Sequence, residues 1–163
     1  MKDIQTCINI AKEQEALLRF ESFDEQDALA LGLAVVRVAS AQYDKGVSVR
    51  IFYDGATVFS YHMKGASLGN DWWMDKKLNT SLRCGGISSL LALCEIQAGL
   101  RPEEEWQNKS GNYALSGGCF PIRLKDGAHV GYVMASALKS EEDHQLLCDA
   151  IASLLDIPIE TVL

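Results

Sequence analysis

The chain lacks the features that most readily betray a function. It has no run of Lys and Arg longer than Lys76-Lys77, and its formal charge is −7 over 163 residues with a pI near 4.9. A partner rich in phosphates, whether nucleic acid or an anionic membrane surface, is therefore excluded as an expectation, because nothing is there to neutralise it. No apolar stretch approaches the roughly 20 residues of a membrane span; the longest, Ala28 to Val36, is flanked by capping residues and reads as a buried helix. The five cysteines (Cys7, Cys84, Cys94, Cys119, Cys148) are odd in number, widely spread and without a Cys-x-x-Cys pair, and Met1-Lys2-Asp3 does not open a secretory leader. Reduced thiols and a cytoplasmic location are the expectation. Neither cysteines nor His62, His129 and His144 fall at metal-ligand spacing, so no metal is expected.

What is present is a strong alternation of apolar and polar residues in two places. Phe120, Ile122 and Leu124 alternate with Pro121 and Arg123 before Asp126-Gly127, and Val130, Tyr132 and Met134 follow it. That is the pattern of a β-hairpin. Pro121 has no N–H to give a ladder, which sets its strand towards one side of a sheet; the strand His129 to Ser136, apolar or small on both faces, belongs nearer the centre. Val47 to Tyr53, Asp54-Gly55 and Thr57 to Met63 repeat the hairpin pattern, and Tyr113 to Leu115 is a short candidate strand.

Helical periodicity fills the remainder. Asp3 to Phe20 is amphipathic, and Asp24 with Asp27 opens a helix running to about Tyr43 whose Leu29, Leu31, Leu33, Val35 and Val36 nearly surround its axis. Such a helix needs cover on several sides, from the sheet and from a second subunit, and Gly32 permits one close approach. Asn70 or Asp71 caps a helix carrying Trp72, Trp73, Lys76 and Lys77, and Ser88 or Ser89 begins another. Ser140 with Asp143 reads as a capping box for a last helix. Strands grouped as hairpins give an α+β domain, with a five-stranded antiparallel sheet of profilin-like or PAS-like type and helices on its faces. The expected layout is one domain over 1–163, with an N-terminal helix in 1–22 and a helical insertion in 64–111.

Chemistry is harder to read. Ser88, Ser89 and Ser136 lack the Gly-x-Ser-x-Gly elbow of a nucleophile, and Gly117-Gly118 leads into a strand, not the helix of a phosphate loop. No catalytic set is identifiable. Trp73 and Lys76 share a helical face, suited to a planar anion; Asp143-His144 is either an acid–base pair or ordinary helix-start chemistry.

These residues also resemble a known family. Gly117-Gly118, Phe120-Pro121-Ile122, Gly127, Val130-Gly131, Ala135-Ser136 and Asp143-His144 look like the signature of haem-degrading, GlcG-like and HbpS-like proteins, and Phe23, Ala28, Gly32, Gly65, Asn70, Trp73, Lys76 and Thr80 resemble an uncharacterised soluble branch of it. The resemblance implies a profilin-like fold, assembly into dimers or larger rings, and haem as a possible ligand. Ala137 departs from it, standing where many members have glycine. The functional expectation is an oligomeric small-ligand-binding protein, with Trp73, Lys76, Gly117, Gly118 and His144 as candidate site residues. The alternative is an assembly module with no small ligand, and an enzyme has the least support.

Overall fold

The structure, a computed structural model, describes residues 1–102 and 111–163; part of the expected helical insertion in 64–111 lies outside them. A five-stranded sheet runs in the order β1-β4-β5-β2-β3. Its strands are β1 (Arg19–Phe20), β2 (Ser48–Tyr53), β3 (Ala56–His62), β4 (Cys119–Leu124) and β5 (His129–Ser136). Both hairpins form, and β5 is central as its two-sided apolar pattern requires. Asp54 and Gly55 both have positive φ, 48° and 78°, the geometry that matches the twist of the flanking strands.

The sheet differs from the expected antiparallel one at one edge. Arg19 and Phe20 leave the first helix early and pair in parallel with Arg123 and Leu124, so the fifth strand comes from the N-terminal segment. Tyr113 to Leu115 is not a strand. Its backbone is held by a side chain instead: Thr80 Oγ1 donates to Ala114 O at 2.9 Å and accepts from Ala114 N at 3.2 Å. Because β1 reaches only Arg123 and Leu124, Pro121 costs no ladder bond. Two residues earlier, the Cys119 N–H donates to Ser89 Oγ at 3.1 Å.

Five helices surround the sheet among the described residues: α1 (Ile4–Leu17), α2 (Glu25–Gln42), α3 (Leu68–Arg83), α4 (Ser89–Gln97) and α5 (Ser140–Leu155). Helix α2 starts in a reciprocal cap, Asp24 Oδ1 accepting from Gln26 and Asp27 while Asp27 accepts from the Asp24 N–H. It packs with α5 on one face, over Val49, Ile51, Phe120, Ile122, Val133 and Ala135. At Gly32 a Cβ would lie 2.6 Å from the Phe59 ring, which fixes glycine where α2 crosses β3. Helix α3 covers the opposite face through Met74 and Leu78, against Cys119, Tyr132 and Met134. Helices α1 and α4 pack on each other through Cys7, Ile8, Ala11, Leu90 and Cys94.

Two caps differ from the expectation. Helix α3 begins after Ser67, whose N–H donates to Asn70 Oδ1 at 2.8 Å. Helix α5 begins after Lys139, whose N–H donates to Glu142 Oε2 at 3.0 Å, which leaves Ser140 and Asp143 for other partners. No helix among the described residues is long and apolar enough to cross a membrane.

Candidate functional site

The sheet face under α3 carries charge. Lys77 sits one turn beyond Met74 on the inward stripe of α3 and is buried, so its ammonium needs a buried partner. That partner is Asp143, from the first turn of α5: Lys77 Nζ lies 2.7 Å from Asp143 Oδ2, and both side chains are 2% exposed. Lys77 Nζ also donates to Ala135 O at 2.9 Å, while Asp143 Oδ1 accepts from the Leu138 N–H at 3.1 Å. Burial pushes the Asp143 carboxyl above the usual carboxylate range, opposed by the Lys77 charge and by backbone N–H groups of Leu138 and Ala137. The ion pair thus sits where α3, the end of β5 and the start of α5 meet.

The pair forms part of the wall of an open cavity of about 280 Å³. Trp73, Asn70 and Lys45 contribute further walls, with Ser116, Ser136 and the turn after it completing the lining. Trp73 is 50% exposed. Ser136 Oγ accepts from Asn70 Nδ2 at 3.4 Å, and the Lys45 ammonium donates to the Ala137 carbonyl. Ala137 has φ 145°, a region that favours glycine. The chain turns there beside the cavity, and alanine is held in a conformation that suits glycine.

The candidate residues separate into two groups. Trp73 lines the cavity; Lys76 does not, its ammonium lying 5.4 Å from the Trp73 ring centroid. Gly117 and Gly118 serve packing. A Cβ on Gly118, at φ 110°, would lie 2.6 Å from Lys77 Nζ and 2.9 Å from Asp143 Cβ. One on Gly117 would collide with Ser140 O, whose side-chain Oγ accepts from the Gly117 N–H at 2.7 Å. His144 lies in the core, 0% exposed and away from the cavity lining. Its Nε2 faces Gln14 Oε1 at 2.8 Å; since the Gln14 amide nitrogen donates to Gln145 Oε1 and Glu160 O, His144 is the donor. Burial pushes its pKa down to about 3. Asp143 and His144, adjacent in sequence, therefore point to different places and do not form an acid–base pair.

Of the lining residues only Trp73 was a sequence candidate for the site, and Lys77, Asp143 and Lys45 are the charged ones that sequence reasoning did not place there. A signal for Lys77 existed, since Met74, Lys77 and Ser81 recur at inward helical spacing. A second polar chain lies nearby: Ser48 Oγ is 3.1 Å from His62 Nδ1, His62 Nε2 is 3.1 Å from Asp71 Oδ2, and Asp71 Oδ1 accepts from Arg50 at 3.0 Å. Ser48 is fully buried, so this Ser-His-Asp order fixes α3 to the sheet and offers no accessible nucleophile. Among the described residues no three of His, Cys, Asp and Glu converge as a metal-ligand set.

Comparison with known proteins agrees with this architecture. The chain is 33% identical over 142 residues to a UPF0303 protein of Psychromonas ingrahamii, covering 87% of this chain and 89% of that one. It is 34% identical over 157 residues to a UPF0303 protein of Acidobacterium capsulatum, covering 94% and 93%. Among solved structures it superposes on the Ybr137w protein with TM-score 0.80 at 27% identity, over 91% of this chain and 87% of that one. It also superposes on PduOC, solved as a heme complex, with TM-score 0.68 at 22% identity, over 86% and 98% of the chains; this second likeness is one of fold. A family model described as haem degrading protein HbpS-like matches residues 23–152, and the chain belongs to that HbpS-like family.

Proposed function

We propose that the protein is a small-ligand-binding member of its family, and that the ligand occupies the cavity between Trp73, Lys45, Ser136 and the Lys77–Asp143 pair. The observation that carries this is the pair itself. A buried ion pair rarely stabilises a fold more than well-packed apolar residues would; here it forms part of the wall of an open cavity beside a half-exposed tryptophan. Trp73 and Lys76 from the original candidate set act together in this reading, the ammonium on the indole holding the ring that faces the ligand. Gly117 and Gly118 let the strand approach the helix start closely enough to build the wall.

Haem is the ligand that the family's description and the PduOC complex raise. The cavity residues do not fit it. None of those lining it is His, Cys, Met or Tyr, the side chains that serve as axial ligands. The first test is titration of the intact protein with hemin and with small carboxylates, read by tryptophan fluorescence and melting temperature. A response that disappears in Trp73→Leu supports the reading, and no response to any probe removes it.

A second reading, assembly, has its own observation. Leu29 and Leu33 project from α2 at 47% and 56% exposure, the sides that the sheet leaves uncovered, and a homo-oligomer would bury them. Light scattering that finds only monomer at micromolar concentration removes that reading.

A further inference from the structure

Charge and size together narrow the class of molecule that the cavity takes, provided that the cavity is the ligand site. Lys77 and Asp143 cancel each other at 2.7 Å. Lys45 lines the same cavity and donates to the carbonyl of Ala137, an acceptor without formal charge. The lining of a chain carrying −7 overall is thus left with one net positive charge. Ser136 adds a hydroxyl: its Oγ accepts from Asn70, which leaves the O–H to donate. The indole of Trp73 supplies a flat apolar wall, and Lys76, absent from the lining, holds its ammonium 5.4 Å from the centroid of that ring.

We infer that the cavity binds a metabolite-sized monocarboxylate with a flat, conjugated body, its carboxylate on Lys45 and Ser136 and its body against Trp73. One cation matches one carboxylate; a phosphate monoester, near −2 at neutral pH, asks for more cationic donors than Lys45 alone, and the start of α5 beside the cavity already carries the acidic Glu141, Glu142 and Asp143. The lining offers a tetrapyrrole no His, Cys, Met or Tyr as axial ligand.

The test uses the intact protein with benzoate, nicotinate, their neutral amides and hemin. The expected result is that at least one acid binds ten times or more tighter than its amide, and that hemin does not displace it. Lys45→Met should weaken the acid about tenfold and leave the amide unchanged, with Lys45→Arg restoring most of the loss, because Lys45 is exposed and its removal leaves the core intact. Equal binding of acid and amide overturns the inference while the cavity stands as a ligand site. So does hemin that binds, is lost in Trp73→Leu and is not matched by any carboxylate. Silence towards every probe overturns both the inference and the site.

Discussion

The two faces of the central sheet are built on opposite principles. Under α2 and α5 the strands present Val49, Ile51, Phe120, Ile122, Val133 and Ala135, a continuous apolar layer. Under α3 they meet a smaller cluster of Met74, Cys119, Tyr132 and Met134 flanked by two ionised groups of residues, Lys77 with Asp143 and Arg50 with Asp71 and Asp75. The first face gains from removing apolar surface from water, the second pays desolvation for charges that it then pairs. The open cavity with Trp73 belongs to the second face, where the proposed ligand site lies.

The largest effects come from breaking each face once. Phe120→Ala, on the apolar face, should cost about 3–5 kcal/mol in urea denaturation, the range for truncating a fully buried Phe. Asp143→Ala should cost a similar amount for a different reason, since it strands the Lys77 ammonium in the interior. A fall of less than about 1 kcal/mol in the second would mean that Lys77 reaches water.

The sequence announced the apolar face more clearly than the charged one. Alternation in β2, β4 and β5 and two Asp-Gly turns locate the hairpins, because a buried layer imposes a period that any window reveals. The two residues of β1 carry no period, and Tyr113 to Leu115 alternates without pairing, its backbone satisfied by Thr80. On the charged face, Trp73 was visible as an aromatic not required by core periodicity. Lys77 was overshadowed by Lys76, its exposed-looking neighbour, and Asp143 by the ordinary presence of acids at helix starts. Partners 66 residues apart, as Lys77 and Asp143 are, leave no local pattern.

Next in size is the pH response of His144. Its folded pKa of about 3 is depressed from 6.5, so the unfolded chain binds the proton first. The contribution is fully present above pH 6.5 and is lost as pH falls towards the folded value. Between pH 6 and 4.5 the protein should lose about 1.4 kcal/mol per pH unit from this group, a slope that His144→Asn flattens. Parallel pH profiles for the two proteins would show that the histidine is not buried neutral.

Gly118→Ala should follow at about 1–3 kcal/mol, from backbone strain at φ 110° and a methyl pushed against Lys77 Nζ; it should also weaken any ligand bound in the cavity. The smallest effect is expected on the outer side of α2. Leu33→Asp should change monomer stability by no more than about 0.5 kcal/mol, because Leu33 is 56% exposed. Any larger change, seen together with a smaller particle in light scattering, would assign that surface to a subunit contact.

The account rests on the claim that Lys77 and Asp143 are kept for the cavity and not for the stability of the fold. Replacing both at once, Lys77→Met with Asp143→Leu, tests it in one urea titration. If the pair serves the site, the double variant is within about 1 kcal/mol of the parent or more stable, since an apolar pair avoids the desolvation cost that the charges carry. A double variant that loses as much stability as Asp143→Ala alone would contradict the claim and make the ion pair a structural tie.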